Sequence, residues 1–290
     1  MLKLKLIQAL LKLFALLPLV VIHTIGIALG WIIYACSKRT ALRVRDNLRQ
    51  SAIYQNKQTF KLAIKKNIAE SGKSLLETFP IWLRSHAAVF DLVKNCTGWQ
   101  YVEAALAADK GIIFLTPHLG CFEITSLYYG ARHPMAVLYR VPRQRWLLPL
   151  IEAGRQRGYI TLAPANSAGV KQLLQALKRG EAIGMLPDQA PFEGEGEWVS
   201  FFGKPAYTMT LASKLAQKTG AQVLMAFGER LPYGGGYHIH IAPIDAGGIA
   251  TPALMNAEIE RAIQQCPTQY LWSYDRYKVR EQEPPPDYYG

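Results

Sequence analysis

Hydrophobic and polar positions divide the chain into three textures. From Leu13 to Ser37 no residue is charged: LFALLPLVVIHTIGIALGWIIYACS. At roughly 1.5 Å rise per residue, such a stretch can reach across a hydrocarbon core of ~30 Å. It is too long for a signal-peptide core, and ACSKRTALR is a poor cleavage site because uncut basic sequence follows. Pro18 and His23 weaken a straight spanning helix, and Lys3, Lys5 and Lys12 make its start amphipathic. Residues 1–37 are therefore expected to form a membrane anchor that either spans with a kink or lies partly in the interface. Residues 38–108 follow a helical rhythm, as in FKLAIKKNIAESGKSLLETF, with Pro80 as an interruption. From 110 onward short apolar runs (GIIFLT, MAVLY, YITLA, AIGML, QVLMAFG) alternate with helix-like stretches such as SAGVKQLLQALKR. That alternation predicts an α/β core over 109–280, a largely parallel sheet flanked by helices, with a loose tail at 281–290.

Charge narrows the possible partners. A formal net charge of +12 over 290 residues points to an anionic surface. Lys38, Arg39, Arg43, Arg45 and Arg49 follow the apolar segment directly, as expected on the cytoplasmic side of a membrane, against anionic headgroups. No nucleic-acid motif accompanies them. Gly26 and Gly30 form a single GxxxG, a weak signal for helix pairing. Cys36, Cys96, Cys121 and Cys266 are far apart, with neither a CxxC nor metal-ligand spacing, and read as reduced thiols.

A histidine followed five positions later by a carboxylate occurs three times: His86 with Asp91, His118 with Glu123, His240 with Asp245. On a strand, five positions apart means opposite faces; on a helix it is a turn of about 500°. Only His118 follows an apolar strand, stands between Pro117 and Leu119-Gly120, and precedes a predicted helix that carries Glu123. In open α/β sheets, active-site groups gather beyond the carboxyl ends of strands, so a corner here can fold Glu123 towards the imidazole. A carboxylate-held histidine is a general base. There is no GxSxG elbow and no HExxH pair, and Cys121 reads as a packing residue. What remains is a base that activates a substrate hydroxyl for attack on an acyl group. Asp188 and Gln189 end the strand EAIGML on the same rim; Asp188 is read either as a structural corner or as a positioner of an active-site arginine. Arg140, Arg143, Arg145, Arg155 and Arg157 offer forked donors for phosphate oxygens. FFG at 201–203 and EGEGE at 193–197 are the candidate oxyanion-donor turns.

PHLGCFE, LPDQAP, VSFFGKPA and PTQYLWSYDRYK resemble, in order and spacing, the four motif blocks of the late acyltransferases of lipid A biosynthesis. That family belongs to the lysophospholipid acyltransferase superfamily with its H(X)4D/E signature. The resemblance implies a metal-independent enzyme without a cofactor, located on the cytoplasmic face of a bacterial inner membrane. It implies acyl transfer from acyl carrier protein thioester to the hydroxyl of a 3-hydroxyacyl chain on a phosphorylated lipid A precursor, with His118 as base and Glu123 as its orienting partner. Arg155 aligns with a family arginine near the active site. Gln269, Tyr270, Trp272, Arg276 and Lys278 match a block expected to be structural or to dock the donor. The rival readings are the same fold acting on another glycolipid or a lysophospholipid, and a non-catalytic membrane-surface scaffold.

Overall fold

The computed structural model describes residues 2–142, 148–245 and 247–278, with side chains from Ile7 onward; Arg143, Arg145 and the tail from 281 lie outside them. The apolar start forms two helices, α1 (Leu2–Leu16) and α2 (Leu19–Cys36), that meet at Pro18. Next come α3 (Lys38–Gln50), α4 (Lys57–Leu83) and the short α5 (His86–Phe90). Ser37 and Asn56 start α3 and α4 by accepting the backbone N–H of Thr40 and Gln58, which satisfies donors the helix itself leaves open. Pro80 does not interrupt α4. It lies within the last turn, where the helix still runs to Leu83 with Pro80 and Ile81 buried, and that packing outweighs the lost N–H bond and the crowding of the preceding turn's carbonyl.

The body continues with β1 (Val93–Thr97), α6 (Trp99–Ala107), β2 (Ile112–Leu115), α7 (Phe122–Gly130), β3 (Met135–Tyr139) and α8 (Leu148–Arg155). It proceeds through β4 (Ile160–Pro164), α9 (Ser167–Lys178), β5 (Ala182–Met185), β6 (Gly196–Phe201), β7 (Lys204–Met209) and α10 (Leu211–Thr219). It closes with β8 (Gln222–Arg230), β9 (Tyr237–Ile244) and α11 (Pro252–Gln265). Seven strands form one sheet in the order β1-β9-β8-β2-β5-β3-β4, and β6 and β7 pair separately as a hairpin. Every neighbour in the large sheet is parallel except β8 with β9. The α/β reading therefore stands. Its helical stretch 38–108 needs one correction, because β1 sits inside it and pairs with β9 as an edge strand.

Helices cover both faces, and so the central strands are continuous apolar runs. In β2, Ile113 and Leu115 join the core cluster on one side, while Ile112 and Phe114 join the cluster on the other; alternation of side chains along a strand requires this.

The N-terminal helices belong to the same body. Leu19, Ile22, His23, Gly26 and Gly30 of α2 are buried, and α2 runs along α4. The GxxxG glycines are used within the chain: a Cβ on Gly72 would stand 1.9 Å from the Gly26 carbonyl oxygen, and one on Gly30 would stand 2.3 Å from that of Ile68. Only the lack of side chains allows backbones this close. Gly72→Val should therefore destabilise the protein by about 1–3 kcal/mol through overpacking, read as a lower Tm in detergent micelles; an unchanged Tm would mean that α2 does not pack on α4. Beneath this crossing lies a buried polar network. Glu77 receives Arg230 Nε at 2.7 Å and the Tyr237 hydroxyl at 2.9 Å, and pairs with His23 Nε2 at 3.2 Å. The Arg230 guanidinium also reaches Glu70 at 2.7 Å.

Candidate active site

β2 and β5 run parallel and in register, Leu115 beside Met185, and Thr116 N–H still donates to the Met185 carbonyl at 3.0 Å. Each strand then continues through one residue and a proline: Leu-Thr-Pro-His on one side, Met-Leu-Pro-Asp on the other. Equal extensions from in-register strands bring His118 and Asp188 together. His118 Nδ1 lies 2.8 Å from Asp188 Oδ1, and the His118 backbone N–H donates to Oδ2 at 2.9 Å. Asp188 is 1% exposed. Burial alone would raise its carboxyl, but the charge of His118 and the two hydrogen bonds from it outweigh that effect and hold it below its ordinary range.

This corrects the expected pairing. The carboxylate on the imidazole is Asp188, not Glu123, and Asp188 positions the histidine, not an arginine. The turn between His118 and Glu123 explains the difference. Gly120, at φ +60°, is clamped by N–H donation to the Gln269 carbonyl at 3.1 Å, and Cys121 N–H donates to that of Gly228 at 2.7 Å. α7 then starts with Glu123 in its first turn, buried against Arg155 from the end of α8. Arg155 Nε donates to both carboxylate oxygens at 3.1 and 2.9 Å, and its Nη2 closes the fork. Burial would lower the Arg155 guanidinium, but the Glu123 charge and hydrogen bonds raise it above its ordinary value.

The free side of His118 faces a cleft of about 270 Å³ lined by Phe122, Tyr139, Arg140, Arg155, Gln189 and Met209, among others. Gln189 Nε2 lies 3.1 Å from His118 Nε2, so an amide occupies the position an incoming hydroxyl would take. Arg140 stands at the cleft with its guanidinium 4.2 Å from the Phe192 ring centroid. The Phe122 ring, 4.8 Å from the imidazole, separates this cleft from a second space of about 300 Å³. That groove runs between α2, α3 and α4 and is lined by Gly30, Ile33, Val44, Ile68, Leu75 and Leu271, among others.

Two expectations fail. Arg157 does not enter the cleft; its guanidinium donates to the carbonyls of Gly154, Arg84 and Ile81, where it satisfies acceptors that the end of α4 leaves open. The FFG segment is the turn of the β6–β7 hairpin. Phe201 and Phe202 are buried in the core, and Phe202 N–H donates to Glu260 at 2.6 Å, so it is not an oxyanion donor. The C-terminal block laces the site from behind: Leu271 N–H donates to the His118 carbonyl at 3.1 Å, and Arg276, buried, holds the Tyr207 carbonyl and the Thr208 hydroxyl. Of the other two histidine pairs, His86 bonds the Leu127 carbonyl and His240 bonds Glu229; neither meets its aspartate.

Sequence reasoning missed the His118–Asp188 contact, although the twin pattern of strand, one residue, proline and polar residue carried the signal. A carboxylate-held imidazole at the carboxyl end of a largely parallel sheet, open to a cleft with arginines and flanked by an apolar groove, is an arrangement suited to general-base chemistry on a hydroxyl. Residues 3–279 match the family of bacterial lipid A biosynthesis acyltransferases. Relatives include the lipid A biosynthesis lauroyltransferase of Escherichia coli (strain K12), 27% identical over 279 residues, covering 94% of this chain and 90% of that one. The palmitoleoyltransferase of the same strain is 27% identical over 274 residues, covering 91% and 87%. A lipid A biosynthesis acyltransferase of Haemophilus influenzae is 25% identical over 283 residues, covering 94% and 89%. The chain belongs to this family and is an acyltransferase.

Proposed function

We propose that the enzyme performs a late, secondary acylation of lipid A. It would move a fatty acyl chain from acyl carrier protein thioester to the hydroxyl of a 3-hydroxyacyl chain on a phosphorylated precursor. The observation that carries this reading is the placement of His118, held by Asp188, between a cleft with arginines and an apolar groove that meet at Phe122. Asp188 fixes Nδ1 as the protonated nitrogen and leaves Nε2 as the base. The acceptor hydroxyl displaces the Gln189 amide and gives its proton to Nε2. Its oxygen then attacks the thioester carbonyl, the C–O bond forms, the C–S bond breaks, and the imidazolium returns the proton to the departing thiolate. Glu123 acts through Arg155, which it holds at the cleft wall. Arg140, exposed and at the mouth, supplies a donor for a phosphate of the acceptor. The groove receives the acyl chain.

The catalytic body works at the cytoplasmic face of the inner membrane, with α1 and α2 in the lipid interface. α2 is long and apolar enough to cross a bilayer by length and composition. However, it is packed antiparallel on α4, with Gly26 against Lys73 and His23 paired to Glu77, and a crossing would carry these charged residues of α4 to bilayer depth. A charge at the bilayer centre costs roughly 2.5–3.5 kcal/mol. The outward face, with Leu13, Leu16, Val20, Val21, Ile25 and Ile32 exposed, suits immersion to the acyl boundary instead. The Arg45–Tyr34 pair and Trp31 would lie at headgroup level.

The test uses the full chain in micelles with acyl carrier protein thioesters of several lengths. Acceptors are an under-acylated bis-phosphorylated precursor, its dephosphorylated form, and a lysophospholipid, with products read by mass spectrometry. One added acyl mass on the phosphorylated precursor is expected. Arg140→Ala should raise its KM about tenfold, as loss of one charged hydrogen bond implies, and leave KM for the dephosphorylated form unchanged. Transfer to the lysophospholipid alone would keep the chemistry and overturn the substrate; no transfer that depends on His118 would return the scaffold reading.

A further inference from the structure

At the β1 edge of the large sheet, away from His118, two histidines and a carboxylate converge. His238 and His240 alternate along β9 and so share a face. β8 runs antiparallel beside it and places Glu229 directly opposite His238 and Phe227 opposite His240. The two imidazoles stand 4.0 Å apart between centroids, and His240 Nε2 lies 2.8 Å from Glu229 Oε2. One donor atom from each of the three residues lies within 4.8 Å of the other two. From β1, Thr97 brings its hydroxyl to 2.6 Å from His238 Nε2; such an oxygen partner fixes the tautomer and orientation of a metal-binding imidazole. Phe227 stacks beneath His240 at 4.7 Å and forms an apolar floor.

We propose that Glu229, His238 and His240 form a binding site for a divalent transition-metal ion of the zinc class, separate from the acyl-transfer site. Zinc takes imidazole nitrogen and carboxylate oxygen at about 2.0–2.2 Å, so donors in a tetrahedral shell stand roughly 3.3–3.5 Å apart. The donor atoms stand between 2.8 Å and at most 4.8 Å apart, on either side of that value. Two imidazoles favour zinc, cobalt, nickel or copper over magnesium and calcium, which take oxygen donors. All three residues are partly exposed, so the ion has an entry path and a fourth position for water.

A bound ion would tie β8 to β9 at the residue before Arg230. The backbone of Arg230 is clasped on both sides by the Gln269 side chain, at 2.8 and 2.9 Å, and the Gln269 carbonyl holds Gly120 in the His118 loop. The site is thus structural in position, with a short covalent and hydrogen-bonded path to the catalytic corner.

The experiment uses tag-free, chelator-washed full-length protein in micelles, titrated with Zn(II) against a chromophoric chelator, and with Co(II) read by its visible absorption. Expected are one Zn(II) per chain and a Co(II) spectrum of tetrahedral type. Affinity should fall by at least about a hundredfold in His238→Ala and in His240→Ala, and stay the same in His86→Ala. For a readout that needs no variant, Zn(II) should protect His238 and His240, but not His86, from diethyl pyrocarbonate, mapped by peptide mass spectrometry. Wild-type protein that binds no Zn(II) at micromolar concentration, or a double His238→Ala/His240→Ala variant that binds it as well, would overturn the assignment. So would modification of His238 and His240 at the same rate with and without Zn(II).

Discussion

Asp188→Asn is expected to cut kcat for acyl transfer by about 10³–10⁴-fold while the protein stays folded. The argument rests on which imidazole nitrogen carries the proton. With a carboxylate at 2.8 Å from Nδ1, that nitrogen must donate, Nε2 is left as the base, and the imidazolium formed during attack is stabilised. An asparagine presents an N–H or a neutral carbonyl and loses the charge, so the wrong tautomer is favoured and the imidazolium is unsupported. His118→Ala should lose about as much, and the double variant should lose little more than either single one, because groups that act as a unit are not additive. Glu123→Gln should behave differently: the Arg155 fork is weakened, but the imidazole keeps its partner. Single-turnover rates with purified, folded variants separate these cases. Were Glu123→Gln to abolish the chemical step and Asp188→Asn to leave it intact, Asp188 would not be the carboxylate that supports the base.

The second large effect concerns stability. Glu77→Gln is expected to destabilise the protein by about 3–5 kcal/mol, the range for a buried ion pair broken on one side. Arg230 would keep only Glu70 as a charged partner among the described residues, and the charge assistance to His23 and Tyr237 would vanish. The wild-type acid response should show the same group. Burial would raise the Glu77 carboxyl from 4.5, but Arg230, with help from His23, overrides this and brings it to about 2. Between those values the unfolded chain binds more protons than the native one. The contribution is therefore complete above about pH 4.5 and drains away as pH falls towards 2, about 3 kcal/mol in all. Denaturant titrations in micelles at pH 6, 4.5 and 3.5 should show a steep loss for wild type and a shallower one for Glu77→Gln. Parallel curves would locate acid sensitivity elsewhere.

Much of this architecture could be read along the chain because the central strands are buried on both faces and therefore appear as unbroken apolar runs. β1, with the sequence VKNCT, was hidden because an edge strand carries polar residues and its pairing comes from β9, more than a hundred positions away. Pro80 looks like a break in the sequence, yet burial of the helix end around Pro80 and Ile81 holds the last turn in place. His118 was legible from its position after β2, but its partner was not, since five residues of sequence placed Glu123 near while the sheet placed Asp188 nearer. Arg157 was indistinguishable from Arg140 and Arg155 by type and neighbourhood. Only the course of α4 reveals that open carbonyls claim it.

The glycine crossing of α2 and α4 has a consequence for how the enzyme is handled. A leading apolar helix invites removal to obtain a soluble catalytic half, yet here that helix is packed into the body. Trimming the chain before Ser37 would strip one wall from the apolar groove, open the backbone of Gly72 and Ile68 to solvent, and take His23 from a network that leads through Arg230 and Gln269 to the His118 turn. The leading apolar helices and the part that holds His118 are built as one packed piece, with the glycine crossing as its seam.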